Sequence, residues 1–317
     1  MISVSMKYKS IFLIMVLLNF IFFACTDVDD DDTASESWGN WPDSTNTGLT
    51  DSSLLETYIG NMTVGTDNTT VKNLEILGML TIQADNVTVR NYRIWGPDVN
   101  ACININAGTG ILIEYCEITN DTPNNSKGIK VFARDDTSQG IITSIGYTIR
   151  NCYIHLIEDG ISIGQSSSYS SAVHSGLIEN NFITDMPAYN GSHNDGIHIS
   201  GPVDGLIIKN NNIQIPDQQT SAIGVYIDYP GNNITNVSIA QNLLNGGQYT
   251  LYTRTGTNGT ISNINISGNN FGGEYISELW STETVNPENI TNITTSGNVW
   301  YDTDESVSGH EDSGGLE

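Results

Sequence analysis

A six-residue pattern recurs nine times along the chain, and it limits the fold more than any other feature. Each copy begins and ends with a residue that is almost always apolar, as in VRNYRI and IKNNNI. The copies begin at Val71, Val89, Ile113, Ile149, Ile178, Ile208, Ile239, Ile266 and Thr295. Their spacing, 18 to 36 residues, is too short for a domain and is typical of one coil of a parallel β-solenoid with variable loops. The repeat therefore predicts an all-β solenoid of about nine coils.

The fourth position of the repeat is asparagine in the last five copies. These residues are Asn181, Asn211, Asn242, Asn269 and Asn298. Asparagine tolerates a left-handed turn, and its amide carries both a donor and an acceptor. Stacked in neighbouring coils, the five side chains predict an asparagine ladder. Cys116 and Cys152 hold the same position in two earlier copies, where either a disulfide or a pair of buried, stacked thiols is expected.

The N-terminus has the layout of an export signal. Lys7 and Lys9 precede the apolar run IFLIMVLLNFIFFA, which ends at Cys25 and is short for a membrane-spanning helix. The FFAC ending resembles a relaxed bacterial lipobox, and the acidic TDVDDDDTASES that follows resembles the signals of surface-exposed lipoproteins in the Bacteroidetes. The resemblance implies lipidation at Cys25 and a place at the outer membrane or cell surface of a Gram-negative bacterium.

Composition restricts the partners. The chain has 36 acidic and 11 basic residues, for a formal charge of −25, which excludes nucleic acid and an anionic bilayer surface as ligands. No Cys/His spacing suits a metal, and no dense carboxylate cluster suits Ca²⁺. We predict no cofactor and leave a Ca²⁺ requirement open. The expected layout is a signal peptide (1–25), an acidic linker and lead-in (26–51), a solenoid (52–300) and an acidic tail (301–317).

A second set of strands precedes the ladder segments, and its apolar residues alternate. When MLTIQ, CININ, GIKVF, GISIG, GIHIS, GVYID and TLYTR are aligned on that alternation, the residues between the apolar ones point outward. The first outward column is Thr81, Asn104, Lys130, Ser162, His198, Tyr226 and Tyr252. The second contains Asn106, Phe132, Gly164, Ser200, Asp228 and Arg254. A solvated sheet face without a function would more naturally show Thr, Ser and Asn, so the first column indicates a functional site. The alternative is a solvated face that carries these polar residues by chance.

The segment SHNDGIHIS supplies further candidates just before one of these strands. Asp-Gly commonly forms a turn into a strand, and we assign that role to Asp159. Asp195 is a candidate for substrate contact, as is His193, because H-x-D-G resembles an element of uncharacterised bacterial β-helix proteins.

The repeat, the asparagine ladder and the end segments WPDSTNTGL and SGNVWYDT together resemble the superfamily of pectate lyases, alginate lyases and polygalacturonases. The resemblance implies a single right-handed parallel β-helix that acts on a uronic-acid glycan, and we expect a monomer.

Cleavage of such a glycan by β-elimination needs a cation for the carboxylate, a base and an acid. Lys130 or Arg254 is assigned to the carboxylate, His198 to the base, and Tyr226 or Tyr252 to the acid. Substrate binding is assigned to Arg254, His193, Asp195 and Asp228. Three alternatives stay open: a dehydratase acting on unsaturated uronic-acid oligosaccharides, a hydrolase of the polygalacturonase type, and a non-catalytic glycan-binding solenoid.

Overall fold

The computed structural model describes the chain between residues 40 and 307 with short gaps. The described ranges are 40–95, 100–120, 126–132, 144–164, 173–187, 192–216, 220–227, 232–255, 259–273, 278–284 (backbone only) and 289–307. They all belong to the second of the two units into which the chain divides, Met1–Ser37 and Trp38–Glu317. Cys25 and Asp228 lie outside the described residues. Within these ranges, no helix is long and apolar enough to cross a membrane.

The described residues form short strands after a single 3-10 turn at Ser52–Leu54. In chain order the strands are β1 (Glu56–Ile59), β2 (Met62–Val64), β3 (Thr70–Leu77), β4 (Leu80–Gln83), β5 (Thr88–Trp95), β6 (Ala101–Ala107), β7 (Ile111–Thr119), β8 (Lys127–Val131), β9 (Ile145–Arg150), β10 (Tyr153–His155), β11 (Asp159–Ile163), β12 (His174–Glu179), β13 (Phe182–Thr184), β14 (Asp195–Ile199), β15 (Val203–Lys209), β16 (Asn212–Ile215), β17 (Ser221–Ile227), β18 (Asn233–Ala240), β19 (Leu243–Gly246), β20 (Tyr249–Thr255), β21 (Thr260–Ser267), β22 (Asn270–Phe271), β23 (Glu278–Thr284), β24 (Ile290–Ser296) and β25 (Val299–Trp300).

Parallel pairing joins these strands into two long sheets. The second sheet has the order β2-β4-β6-β8-β11-β14-β17-β20-β23, one strand from each coil. The first sheet has two arms that meet at β7, where β9 pairs with the start of the strand and β10 with its end. Each coil therefore contributes to three faces, and the alternating Ile, Val and Leu side chains between the faces form one continuous buried core. The predicted fold class, an all-β parallel β-helix, is confirmed.

The bend between the two arms lies at the third position of the repeat. The backbone there has a positive φ in every coil, for example 47° at Asn91, 53° at Asn151 and 55° at Asn180. Asparagine and glycine adopt this left-handed conformation at low cost, which explains their frequency at the position. The sequence reasoning was wrong in one detail, because the left-handed residue is the one before the ladder asparagine.

The ladder residue itself is buried, and its amide bonds in both directions along the helix axis. The amide nitrogen of each residue donates to the amide oxygen of the next, with N–O distances of 2.9 to 3.1 Å from Asn181 through to Asn298. The predicted ladder is confirmed. Cys116 and Cys152 are free, and each thiol donates at 3.3 Å to the carbonyl two residues earlier, as the ladder amides of Asn211 and Asn242 also do. The stacked-thiol alternative therefore holds.

Candidate functional site

The second sheet sets the register of the candidate column. Lys130 pairs with Ser162, and Ser162 pairs with His198. His198 then pairs with Gly224, and Gly224 pairs with Tyr252. The prediction was therefore right for these residues except at one coil, where it named Tyr226. In β17, Ile223, Val225 and Ile227 all point inward, so a shift of two residues preserves the alternation and sequence alone could not detect it.

Tyr226 nevertheless reaches the column by another route. Its backbone pairs with Arg254 in the second column, the place predicted for Asp228. Its ring folds back over Gly224, where any added Cβ would collide with the ring. The ring centroid lies 4.5 Å from that of His198 and 5.4 Å from that of Tyr252. A glycine thus makes room for an aromatic ring between the histidine and the second tyrosine.

A row of polar residues begins the strands beside this column. Lys127, Asp159, Asp195 and Ser221 are neighbours in successive coils of the second sheet. The Lys127 Nζ atom lies 2.7 Å from Asp159 Oδ2 and 3.0 Å from Glu158 Oε2. The Asp159 Oδ1 atom accepts the Asp195 backbone N–H at 3.2 Å. Asp159 and Asp195 are only 1% and 2% exposed, so this row is an internal charge network and not a solvated edge.

Asp195 connects the polar row to the aromatic column. Its Oδ2 atom lies 2.8 Å from His198 Nδ1. Its Oδ1 atom accepts hydrogen bonds from Ser221 Oγ at 2.6 Å and from the Tyr226 hydroxyl at 3.0 Å. A carboxylate opposite Nδ1 favours the tautomer that carries its proton there, which makes Nε2 the basic nitrogen of the ring. The arrangement makes Nε2 the proton-accepting nitrogen of His198; that atom is buried in the structure, so a substrate must displace its neighbours to reach it.

Burial and neighbouring charges shift the ionisation of this network. Burial raises the pKa of Asp159 above its usual value, Lys127 and His198 oppose the rise, and Asp195 adds to it. Burial by itself lowers the pKa of Lys127, but the Asp159 and Glu158 carboxylates outweigh it and hold that pKa above the ordinary value. Burial and the adjacent Asp195 both raise the pKa of Tyr226, which therefore remains a protonated donor.

Two cationic side chains flank the column. Lys130 is half-buried, with its Nζ atom 5.1 Å from the centroid of Phe132. Arg254 is exposed, and its guanidinium carbon lies 5.3 Å from the centroid of the Tyr226 ring. Since coils are about 4.8 Å apart, Lys130 lies about 10 Å from His198 along the sheet. His193 is exposed, and its backbone N–H approaches Glu158 Oε1 at 3.4 Å.

The sequence reasoning missed Lys127 and Ser221 and misjudged Asp159. Asp159 is the first residue of a strand and is ion-paired, so the simple turn role was wrong. Alignment of KGIKV with DGISI and DGIHI would have placed Lys127 beside the two aspartates. Ser221 carries no comparable signal, because its coil lacks the Asp-Gly pair. Among the residues with described side chains, no group of three His, Cys, Asp or Glu could hold a metal ion.

The fold and this geometry define a parallel β-helix protein with a polar and aromatic site on one face. No family model matches the sequence. No curated protein matches it either.

Solved structures with a similar course of the backbone include three proteins. An alginate lyase from Paenibacillus sp. str. FPU-7 aligns over 76% of this chain and 89% of its own, with 13% identity and a TM-score of 0.48. A mutant tailspike protein of E. coli bacteriophage HK620, in complex with a pentasaccharide, aligns over 73% of this chain and 49% of its own, with 12% identity and a TM-score of 0.42. The Dettilon tailspike protein aligns over 76% and 61%, with 13% identity and a TM-score of 0.39. These likenesses concern the fold, and they assign no residue roles to this chain.

Proposed function

We propose that the protein cleaves a uronic-acid polysaccharide by β-elimination on the face that runs from Lys130 to Tyr252. The observation that carries the proposal is the 2.8 Å contact between Asp195 and His198 Nδ1. A histidine oriented in this way, between flanking cations and beside tyrosines, supplies the groups that elimination needs.

The steps follow from the positions of the side chains. Arg254 pairs with the C6 carboxylate of the reacting uronate, which lowers the cost of negative charge at C5. Lys130, two coils from His198 on the opposite side, pairs with the carboxylate of a neighbouring uronate in the chain. His198 Nε2 removes the C5 proton, and the electrons of that C–H bond form the C4–C5 double bond. The C4–O bond breaks, and the departing oxygen takes a proton from the Tyr252 hydroxyl. Tyr226 is not the acid in this scheme, because its hydroxyl proton is bound to Asp195 and its pKa is raised.

Hydrolysis fits the same residues less well. Glycoside hydrolases of the common type place two carboxyl groups on either side of the scissile bond. Asp159 and Asp195 are buried, and their oxygens bind Lys127, Ser221, His198 and Tyr226. Carboxyl groups engaged in this way support a histidine more readily than they attack or protonate a glycan.

The test is the absorbance of the conjugated double bond that elimination creates. The full chain, purified in a non-ionic detergent, is offered alginate, pectate, ulvan, glucuronan and chondroitin with and without EDTA. We expect a rise in absorbance on at least one polymer that is lost in His198→Ala. The rise should be retained in His155→Ala, which removes a matched half-buried histidine from the first sheet.

Any other outcome would refute the proposal. A rise in absorbance that persists in His198→Ala would show that His198 is not the base. No rise on any polymer would refute cleavage by elimination. In that case a fall in absorbance with unsaturated oligosaccharides would identify a dehydratase, and binding without turnover would identify a glycan-binding solenoid. The 4.8 Å stack of Tyr249 on Tyr252 favours the latter as the second candidate, because it offers an aromatic surface to a sugar ring.

We also propose that the chain is a monomeric lipoprotein anchored at the cell surface through Cys25. Cysteine after a charged n-region and a short apolar run supports this placement. Mass spectrometry of the N-terminal peptide should find a lipid-modified cysteine, and Cys25→Ala should release the protein from the membrane fraction. An unmodified Cys25 would refute the anchor.

A further inference from the structure

A cavity lies at the bend of the first sheet, whereas the candidate active site is on the second sheet. Its volume is about 460 Å³, within the usual range for ligand sites. The lining residues are Asn40, Trp41, Pro42, Asn46, Thr47, Asn151, Asn180 and Asn210. We call it the Trp41 cavity. The side chains of these described lining residues are all uncharged.

The segment from Trp41 to Asp51 runs along the bend and forms one wall of the cavity. At one end, the Asn212 side chain donates to the Pro42 carbonyl at 2.8 Å. Further along, Gly48 N–H donates to the Asn151 carbonyl at 2.9 Å. At the other end, the Asn91 side-chain oxygen accepts the backbone N–H of Asp51 at 3.0 Å. The bend asparagine Asn91 thus already binds a chain that lies along the helix axis.

The three bend asparagines in the cavity differ from Asn91. Within the described part of the chain, the side chains of Asn151, Asn180 and Asn210 make no hydrogen bond. Stacked asparagines at positive φ can bond one another: Asn292 donates to Asn263 at 3.1 Å, and Asn263 donates to Asn236 at 3.1 Å. The cavity therefore presents three successive half-buried carboxamides, each with a donor and an acceptor available for a ligand.

These features define the chemistry of the ligand. Three carboxamides one coil apart span about 10 Å, roughly two sugar residues. Trp41 is half-exposed beside them and makes no ring contact within the described residues, so its indole can cover the apolar face of a ring. We propose that the Trp41 cavity binds an uncharged, hydroxyl-rich segment of a glycan that lies along the helix axis. This site holds a glycan chain without reacting with it, and it does not depend on elimination chemistry at His198.

Calorimetry on the full chain, in a detergent without sugar groups, tests the site. The probes are mannohexaose, xylohexaose and laminarihexaose, titrated to millimolar concentration. We expect saturable binding of at least one probe, weakened about tenfold or more by Trp41→Ala and by Asn180→Gly. Glycine accepts the positive φ at position 180, so the second variant removes the amide without backbone strain. Asn263→Gly, at a φ of 59° outside the cavity, is the matched control and should bind as the unaltered chain does.

Three results would overturn the assignment. The first is that no probe binds. The second is that Trp41→Ala and Asn180→Gly bind the probe as tightly as the unaltered chain does. The third is that His198→Ala loses binding. The last would move the interaction to the candidate active site. Because the probes contain no uronate, failure here leaves the elimination proposal standing, and failure of elimination leaves this binding site standing.

Discussion

The replacement Asp195→Asn separates the orientation of His198 from the stability of the network. The amide oxygen of asparagine can keep the two hydrogen bonds from Ser221 and Tyr226. Its amide nitrogen then faces His198 Nδ1, where the carboxylate oxygen was. Two donors cannot face each other, so the imidazole must place its proton on Nε2 and accept at Nδ1. The nitrogen that should receive the substrate proton is then already protonated.

The expected magnitudes differ for the two properties. The lost charge-assisted hydrogen bond is worth about 1.5–3 kcal/mol. Removal of a buried charge beside Asp159 offsets part of that loss, because Asp195 raises the Asp159 pKa. We therefore expect the free energy of unfolding to fall by less than about 2 kcal/mol. Loss of a positioned general base typically costs about 10²–10⁴ in rate, or about 3–5 kcal/mol in the barrier.

Three measurements on the variant decide the matter. Urea unfolding gives the stability, absorbance on the cleaved polymer gives kcat, and ¹⁵N NMR of the imidazole reports which nitrogen of His198 carries the proton. Ser221→Ala is the matched control, because it removes one bond to Asp195 and leaves the His198 contact in place. It should keep kcat within about tenfold. An Asp195→Asn protein that folds, retains the Nδ1–H tautomer and keeps more than about a tenth of the turnover would contradict this account of His198.

Three further predictions concern the ladder, a buried histidine and the packing of the column. Asn242→Ala removes the acceptor of the Asn211 N–H and one hydrogen bond from each of two backbone carbonyls. It should lower the free energy of unfolding by about 2–6 kcal/mol, whereas the exposed Asn265→Ala should change it by less than about 0.5 kcal/mol in the same urea titration. Burial lowers the pKa of His174 to about 4 from 6.5, so the unfolded chain alone is protonated between these values; stability should fall by about 3 kcal/mol as pH drops from 6.5 to 4, and a His174→Leu protein that shows the same loss would contradict this. Gly224→Ala should displace the Tyr226 ring from His198 and reduce kcat more than Tyr226→Phe does, since phenylalanine keeps the packing; equal kcat values in the two variants would argue against a role for ring position.

Individual elements show how far the sequence could be read. Lys130, Ser162 and His198 were placed correctly because each lies between two inward apolar residues with no competing register. Tyr252 was placed correctly between the inward residues Leu251 and Thr253. Tyr226 was placed wrongly because its strand continues the alternation past the correct pair, and a two-residue slip leaves every side chain on the same face. Lys127 was overlooked because the alignment began at the glycine, one residue after it.

The amino-acid pattern was sufficient to specify the solenoid, its coil-by-coil spacing and the asparagine ladder, since these depend on local periodicity and on stacking of identical positions. The contacts of Asp195 with His198, Ser221 and Tyr226 emerge only in the folded molecule, because they join three strands whose register the pattern leaves free by two residues. The same holds for the ring of Tyr226, which folds back over Gly224. Periodicity assigns a side chain to a face of the sheet, whereas only the packing of neighbouring coils fixes which atoms on that face come within hydrogen-bond distance.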